Sequence, residues 1–301
     1  MLPPDATSVV GIGDDAAVLP APDGRTVAST DLLIEGRHFR RDWSSARDIG
    51  AKAAAQNLAD IAAMGAAPTA LLFGLAIPAA TEVTWVLELT SGLLAECERG
   101  GAVIAGGDVT GADAVMLGIT AIGTLAGHSP VTRGGARPGD IVALSGPVGR
   151  SAAGLAVLQA GLEPDSGADL AELVAAHRRP RPDYLAGPAA AAAGATAMID
   201  VSDGLVADLG HVAAASGVRI DVRSQRLATA SLRSVARKLS ADWRDWVLSG
   251  GEDHALAAAF PPDASLPPGW TVIGTVLEGN GVAVDARNWH GRGGWDHFPA
   301  G

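Results

Sequence analysis

Several features that define common functional classes are missing from this sequence. Cys97 is the only cysteine among 301 residues, so no disulfide can form within the chain. It falls in an apolar pattern with helical spacing, which predicts a buried, unreactive thiol. No apolar run reaches the roughly 18 residues of a membrane-spanning helix, and the first residues lack a signal-peptide pattern. We therefore expect a cytoplasmic protein with no membrane partner.

Basic residues are scarce as well. The chain has 22 Lys and Arg against 33 Asp and Glu, and its net charge is −11. A nucleic-acid-binding protein needs a basic surface, and the compact basic run at 177–181 is too short to provide one. That run is typical of a solvated loop between helices, so we expect no nucleic-acid partner.

The hydrophobic pattern indicates an α/β protein. Apolar residues make up 48% of the chain, and apolar runs of strand length alternate with longer stretches of helical spacing. A length of 301 residues allows two domains. Turn-forming residues concentrate between positions 129 and 140, which predicts a boundary there and domains at 1–130 and 131–301.

Acidic residues recur where strand-like runs end or on the polar side of a helix. In Gly11–Val18 the adjacent Asp14 and Asp15 lie between glycines and an apolar run, and such a pair favours a neutralising cation. We predict short strands at 27–29 and 102–105 that present further acids at their carboxyl ends. The pattern recurs at Ser29–Asp31, Asn57–Asp60, Gly106–Asp108, Asp200–Gly204 and Gly250–Asp253.

The oxygen ligands that these acids supply favour Mg²⁺ as the bound ion. Hard cations take oxygen ligands, whereas zinc sites use His and Cys, and no His/Cys pairs accompany the aspartates. Mg²⁺ ions that bridge phosphate oxygens neutralise charge that shifts during phosphoryl transfer. Arg133 or Arg137 could add a fixed cation there. The residue chemistry therefore indicates metal-dependent handling of phosphates and leaves the substrate open.

One acidic motif lies on a strong helical pattern predicted at about 46–64. Lys52, Gln56 and Asp60 are spaced four apart and share a helix face, with Asn57 beside them. That face could be ordinary solvated surface or one wall of a site. The presence of Asn57 on the same helix, together with the other acidic motifs of the chain, favours a metal site.

Structural roles are also open for three later motifs. Ser202 and Asp203 could serve as the N-cap and first-turn acid of the following helix. The glycine turn at 146–149 opens a helix and could cradle phosphate, but tight packing explains it better because its spacing fits no phosphate-binding fingerprint. Trp295 could be a hydrophobic anchor for the C-terminal segment.

Together, these motifs resemble those of the aminoimidazole ribonucleotide synthetase-like family of ATP-dependent enzymes, and of its thiamine-monophosphate kinase branch in particular. They cover nearly the whole chain in the order of that family. They are GIGDDAA from Gly11, STD from Ser29, NLADIAAMGA from Asn57, GGD from Gly106, DVSDGL from Asp200, SGGED from Ser249 and GWDHF from Gly294. The last motif and His38-Phe39 indicate the kinase branch.

The resemblance implies a fold and a reaction. The fold is the two-domain α/β fold of aminoimidazole ribonucleotide synthetase-like proteins, with an N-terminal domain that dimerises through its sheet and a C-terminal α/β domain. The reaction is direct in-line phosphoryl transfer from ATP to thiamine monophosphate, which gives ADP and thiamine diphosphate without a phospho-enzyme. Several Mg²⁺ ions are implied as cofactors, with ATP as co-substrate and a homodimer as the assembly.

The resemblance also implies roles for individual residues, none of them as a general acid or base. For thiamine monophosphate the implied contacts are His38, Glu252 and Trp295, and an indole face can attract a cationic heterocycle. For ATP they are Gly107, Asp108, Arg133 and Ser202. The implied Mg²⁺ ligands are Asp15, Ser29, Thr30, Asp31, Asp60, Asp108, Asp200 and Asp203.

Two other functions remain as alternatives. A sister ATP-dependent synthetase of the same fold would act on another substrate, such as a ribonucleotide or selenide. Against the selenide case, Cys97 lies in a helical pattern and not in a glycine-rich N-terminal loop. A non-catalytic metal- or nucleotide-binding protein is less favoured, because a simple binding protein needs fewer acidic ligands on both halves of the chain.

Overall fold

The computed structural model describes residues 19–289 and Gly294. The chain divides into two units, of which the first contains residues up to Ala62 and Ala66–Ser129. The second contains Ala63–Gly65 and the chain from Pro130 onward. The expected mixture of helices and sheets is confirmed, and none of the described helices combines the length and apolarity needed to cross a membrane. The separate functional roles expected for 1–130 and 131–301 stay a prediction.

The described part of the first unit contains a four-stranded sheet and two long helices. The sheet order is β1-β4-β2-β3, and β2 and β3 are the parallel pair. The helices confirm the two helical patterns read from the sequence. The elements are β1 Val27–Ile34, α1 Ala46–Ala63, β2 Ala67–Ile77, α2 Val83–Gly100, β3 Val103–Gly111 and β4 Met116–Thr124.

Glycine allows α1 and α2 to pack in backbone contact. A Cβ at Gly50 would collide with the carbonyl group of Leu89, and a Cβ at Gly92 would collide with that of Arg47. The predicted burial of Cys97 on α2 is confirmed, because its side chain is 1% exposed. Burial raises the pKa of the Cys97 thiol to about 12, and the nearby Glu96 charge acts in the same direction.

The two strands that carry acids in this unit are longer than predicted. β1 pairs with β4 from Val27 to Ile34, and β3 pairs with β2 as far as Gly111. Asp31 and Asp108 therefore lie within strands, and the prediction that they follow strand ends was wrong. The reason is that strand pairing continues through the polar residues, which a reading based on apolar runs treats as a stop.

One face of this sheet carries exposed apolar side chains. Leu32, Leu72 and Met116 are 57%, 38% and 38% exposed. The pairing register places Leu32 opposite Gly118 and Leu72 opposite Thr120, so these side chains share a face. Their neighbours Leu33 and Leu117 point to the other face and are fully buried.

The described part of the second unit contains a seven-stranded sheet with six α-helices. The sheet order is β11-β10-β7-β9-β5-β8-β6, and β7 and β10 are the parallel pair. The strands are β5 Ile141–Ser145, β6 Ala197–Val201, β7 Arg219–Val222, β8 Ala255–Phe260, β9 Trp270–Leu277, β10 Gly281–Val284 and β11 Arg287–Asn288. The helices are α3 Arg150–Gln159, α4 Ala168–Arg178, α5 Ala186–Ala192, α6 Leu205–Ser216, α7 Ala230–Leu239 and α8 Trp243–Ser249.

The basic run at 177–181 belongs only in part to the predicted loop between helices, which begins at residue 179. α4 extends to Arg178, and His177 in its last turn is buried. Pro180 is buried too, and Arg181 is exposed. The helical part of the run was missed because the end of a helix cannot be recognised in a five-residue charged segment.

Candidate functional site

In the first unit, Ser29, Asp31 and Asp60 come together where β1 faces α1. The Ser29 hydroxyl donates a hydrogen bond to Asp60 Oδ2 at 2.7 Å. Gln56 Nε2 donates to Asp31 Oδ2 at 3.1 Å, and the Asp31 backbone N–H donates to Asn57 Oδ1 at 3.1 Å. The structure therefore brings three of the predicted metal ligands to one strand–helix contact.

Buried polar residues on α1 support this contact. Asn57 is fully buried and donates from Nδ2 to the carbonyl of Ala53 at 2.9 Å, which orients its oxygen towards Asp31. Lys52 is 2% exposed, and its Nζ donates to the carbonyl of His38 at 3.1 Å. The alternative of an ordinary solvated face for Lys52, Gln56 and Asp60 was therefore wrong.

Thr30 and Asp108 lie on the other face of the sheet from Asp31. Side chains alternate along a strand, so Thr30 points away from its neighbours Ser29 and Asp31. Its hydroxyl donates to the carbonyl of Ile119 at 2.9 Å and accepts from Thr120 at 3.1 Å. Asp108 is exposed on β3, and two strands, β4 and β2, lie between β3 and β1 in the sheet. Their assignment as ligands stays a prediction.

Two other predicted contacts in this unit have structural partners. His38 is half-buried, and its Nδ1 accepts the backbone N–H of Ile34 at 3.0 Å. The ring proton of a neutral His38 is therefore on Nε2. A Cβ at Gly107 would collide with the carbonyl of Phe73, so contact between β2 and β3 already requires glycine there. The role of Gly107 in binding ATP stays a prediction.

In the second unit, acids gather where β6 leads into α6. Asp200 is the last but one residue of the buried strand β6, 6% exposed, and its Oδ2 lies 3.4 Å from His254 Nδ1. Asp208 on α6 accepts the backbone N–H groups of Asp203 and Gly204 at 3.2 and 3.0 Å. Burial, together with the charges of Asp200 and Asp203, raises the pKa of Asp208 to about 7.

The structure assigns a different helix start from the predicted one. α6 begins at Leu205 with Gly204 as the N-cap, so Ser202 is not the N-cap and Asp203 precedes the helix. Asp208, which lies four positions after Gly204, was not predicted from the sequence. Its carboxylate accepts the N–H groups of Asp203 and Gly204, a role that an N-cap side chain usually has. An acid in the first turn is its only sequence signal, and that signal is weak.

The segment 249–254 lies directly on the Asp203 turn. The Glu252 N–H donates to the carbonyl of Ser202 at 2.7 Å, and the His254 N–H donates to that of Val201 at 3.0 Å. Glu252 and His254 both have left-handed backbone conformations, with φ of 65° and 54°. Such a conformation is costly for residues other than glycine and persists where neighbours enforce it.

Asp253 occupies the N-terminus of α3. Its carboxylate accepts the backbone N–H of Gly149 at 2.6 Å and that of Ser151 at 2.8 Å. The glycine turn at 146–149 therefore serves packing and capping, as the sequence favoured, and not a phosphate. Burial raises the pKa of Asp253 to about 6, although both N–H groups act in the opposite direction.

The remaining predicted residues are not brought to these groups by the described structure. Arg133 is exposed before β5, and its carbonyl accepts the Ser216 hydroxyl at 3.1 Å. Asp15 and Trp295 lie outside the described residues. Gly294, however, lies so close to the carbonyl of Asp203 that a Cβ would clash with it.

The described residues do not form a complete metal site. Among residues 19–289 and Gly294, no group of three or more His, Cys, Asp or Glu side chains is arranged to hold a metal ion. The donors present are carboxylate and hydroxyl oxygens, which fit Mg²⁺ in their chemistry. The ligand set as a whole stays a prediction.

Comparison with family models matches both halves of the chain. Residues 13–125 match the N-terminal domain of AIR synthase related proteins, and residues 137–287 match the C-terminal domain of the same family. These two matches cover most of the sequence.

Comparison with individual proteins gives near-full-length similarity. The thiamine-monophosphate kinase of Mycobacterium tuberculosis is 50% identical over 296 residues, which is 97% of this chain and 87% of the relative. The crystal structure of thiamine-monophosphate kinase from Stenotrophomonas maltophilia has a TM-score of 0.83 at 34% identity, covering 94% of this chain and 92% of the other. A structure described as AaThiL complexed with AMPPCP and TMP has a TM-score of 0.85 at 33% identity, covering 95% and 92%.

Proposed function

The chain belongs to the family of AIR synthase related proteins, and from that membership we propose that it phosphorylates thiamine monophosphate. The reaction transfers the γ-phosphoryl group of ATP to the phosphate of thiamine monophosphate and gives thiamine diphosphate and ADP. The observation that carries this function is 50% identity to a thiamine-monophosphate kinase over 97% of the chain. The enzyme is a phosphotransferase with a phosphate group as acceptor.

ATP is the co-substrate of this enzyme. AMPPCP is an analogue of ATP with a carbon bridge between its β- and γ-phosphates, and AaThiL is described in complex with it. The acceptor phosphate of thiamine monophosphate is already an anion, so the transfer needs no strong general base. This agrees with the proposal that Asp31 and Asp200 are metal ligands and not general bases. The carboxylate of Asp31 contacts Gln56, and that of Asp200 contacts His254.

The acidic residues of both units are the proposed ligands of several Mg²⁺ ions. The support is their chemistry: Ser29, Asp31 and Asp60 meet at one contact in the first unit, and Asp200 and Asp203 lie beside the buried Asp208 in the second. Bound Mg²⁺ supplies positive charge that neutralises phosphate oxygens during transfer. Asp15, Thr30 and Asp108 complete the proposed set.

Neighbouring residues of the chain hold these proposed metal ligands in place. Gln56 and Asn57 fix the side chain and backbone of Asp31, and the Ser29 hydroxyl fixes one oxygen of Asp60. Pre-organised donors lower the reorganisation that the reaction requires. Gly107, Asp108, Arg133 and Ser202 are the proposed ATP contacts.

The thiamine monophosphate contacts proposed are His38, Glu252 and Trp295. Glu252 carries a carboxylate that complements the cationic ring of thiamine, and the rigid segment around it supports a fixed orientation. A neutral His38 can donate from Nε2, because its Nδ1 is already an acceptor.

A homodimer is the proposed assembly. The support is the sheet face of the first unit that exposes Leu32, Leu72 and Met116, since contiguous exposed apolar side chains mark interaction surfaces. A cytoplasmic location is proposed with it, because ATP is the co-substrate.

Substrate-dependent release of ADP tests this function against a sister synthetase. Purified protein with ATP and Mg²⁺ is assayed separately with thiamine monophosphate, a phosphoribosyl amidine and selenide. Of the three compounds, we expect only thiamine monophosphate to raise ADP release above the background hydrolysis of ATP. ADP release with one of the other two and none with thiamine monophosphate would overturn the proposal. Binding of ATP with no turnover on any substrate would favour a non-catalytic protein.

A further inference from the structure

The segment that carries Glu252 is closed into a ring of polar contacts by α3 and α4. The Ser151 N–H donates to Asp253 Oδ1 at 2.8 Å, and Ser151 Oγ is hydrogen-bonded to His177 Nδ1 at 3.1 Å. The same His177 Nδ1 lies 3.8 Å from Glu252 Oε2, a distance at which a protonated His177 forms an ion pair with the carboxylate. Since Glu252 and Asp253 are adjacent in the chain, the ring is complete.

Close packing of two helices places His177 in this ring. A Cβ at Gly154 on α3 would collide with the carbonyl of Leu173 on α4, and it would lie 2.9 Å from the Cβ of His177. The missing side chain therefore lets α4 approach α3 at this point. As a result, the His177 ring is buried against Ser151, which is itself 1% exposed.

The geometry excludes a nucleophilic triad. In such a triad the serine and the carboxylate approach different ring nitrogens, so that a proton can be relayed between them. Here Ser151 and Glu252 both face Nδ1 of His177. Ser151 is also buried, so no substrate can reach its hydroxyl. We therefore read the contacts of Ser151 and His177 as a support for the Glu252 carboxylate.

Glu252 is the partly exposed member of the ring. Its side chain is 33% exposed, whereas that of His177 is 8% exposed. Its backbone is held in the left-handed region with its N–H bonded to Ser202, so the direction of the side chain is set from the backbone as well. One end of the ring thus presents a carboxylate outward from a buried support.

We propose that His177 is a positioning residue for thiamine monophosphate binding, acting through Glu252 with Ser151 as its anchor. This inference rests on the proposed function and deepens it by naming the support of the substrate contact. His177 orients the Glu252 carboxylate towards the cationic ring of the substrate. Its removal therefore weakens the binding of thiamine monophosphate and leaves the binding of ATP and the transfer step intact.

Steady-state kinetics of His177→Leu and His177→Asn test this role. For His177→Leu we expect KM for thiamine monophosphate to rise about tenfold, with kcat and KM for ATP within about twofold of wild type. Asn keeps a polar group near the position of Nδ1, so His177→Asn should recover part of the loss. Ser151→Ala, which retains the backbone N–H bond to Asp253, should raise the same KM to a smaller extent.

A double-mutant cycle separates this role from general damage to the fold. In a Glu252→Gln background, His177→Leu should add no further increase in KM, because it acts only through the carboxylate. His211→Leu, on the exposed surface of α6, is the matched control and should change nothing. Additive effects in the cycle, or an equal rise in KM for ATP, would overturn the proposal.

The readout distinguishes this inference from the function on which it rests. If wild type forms no thiamine diphosphate, the proposed function fails. If wild type is active and His177→Leu has an unchanged KM, the positioning role alone fails. Should His177→Leu not fold, the same decision is made from Ser151→Ala and His177→Asn, whose thermal unfolding is measured alongside.

Discussion

At the scale of single residues, the candidate metal ligands are held by polar partners that are buried, as Asn57 is, or half-buried, as Gln56 and Ser29 are. Asn57 is fully buried and bonds both the Ala53 carbonyl and the Asp31 backbone. A buried amide without partners would be unfavourable, so these bonds fix the α1–β1 contact as well as its acids. Hydrogen bonds within the chain therefore set the positions of Asp31 and Asp60.

Removing one of these carboxylates should abolish most of the activity. For Asp60→Asn and Asp200→Asn we expect kcat/KM to fall by about 100-fold or more, because each substitution removes the charge of a proposed oxygen ligand for Mg²⁺. Raising the Mg²⁺ concentration should recover part of the loss. The measurement is turnover as a function of Mg²⁺.

The matched controls are Asp113→Asn in the first unit and Asp263→Asn in the second, both at exposed positions. They make the same charge change and should retain wild-type activity. Full activity of Asp60→Asn at ordinary Mg²⁺ would remove Asp60 from the ligand set, and the same holds for Asp200.

Cys97 should be unreactive in the folded protein. Its side chain is 1% exposed and burial raises the pKa of its thiol to about 12, so thiolate is almost absent at neutral pH. A chromogenic disulfide reagent should show no reaction with native protein and one thiol per chain after unfolding in guanidinium. Rapid reaction of the native protein would contradict the buried position on α2.

At the scale of elements, glycines decide how closely helices approach. Gly50 on α1 and Gly92 on α2 each face a carbonyl of the opposite helix. Gly50→Ala should reduce the free energy of unfolding by about 2 kcal/mol, because the helices must separate to admit the methyl group. Chemical denaturation measures the change.

Gly210 on α6 is the control for that substitution. A Cβ there would meet no atom within 4 Å, so Gly210→Ala should instead increase stability by about 0.5–1 kcal/mol through helix propensity. Equal effects of the two substitutions would contradict the described contact between α1 and α2.

The Asp253 cap of α3 should make stability depend on pH. Its pKa is raised by burial to about 6 from an ordinary 3.8, so the folded state binds the proton more tightly than the unfolded state. Stability from this group is therefore present below about pH 4 and is lost as pH rises to about 6. The two N–H groups at the helix N-terminus already limit this rise in pKa, and we expect a loss of about 3 kcal/mol.

Asp253→Asn isolates this contribution, since the amide does not titrate. Between pH 4 and pH 7 the free energy of unfolding should fall more steeply in wild type than in Asp253→Asn, while Asp263→Asn should follow wild type. Parallel curves for wild type and Asp253→Asn would show that Asp253 does not titrate in this range.

The sequence predicted elements better than it predicted their ends. Helical spacing predicted α1 at about 46–64, within one residue of Ala46–Ala63, since its helical pattern is long. The strands β1 and β3 were predicted too short, because ladder bonds to β4 and β2 continue through polar residues. Pairing between distant strands is not visible in a local pattern.

At the scale of the whole molecule, ordered motifs carried more information than any local pattern. The acids from Asp31 to Glu252 are far apart in sequence, yet their order and spacing indicated the family that the comparisons then identified. Supporting roles were missed, among them those of His177, Asp208 and Asp253. Their roles depend on contacts between α3, α4, α6 and the segment 249–254, which only the folded chain brings together.

Product analysis of a single reaction tests whether this chain phosphorylates thiamine monophosphate. Purified protein is incubated with ATP, Mg²⁺ and thiamine monophosphate, and thiamine diphosphate and ADP are quantified by chromatography. The account predicts that both products appear in a 1:1 ratio, that neither forms after chelation of Mg²⁺, and that thiamine itself is not phosphorylated in place of its monophosphate. Folded protein that yields no thiamine diphosphate under these conditions would contradict it.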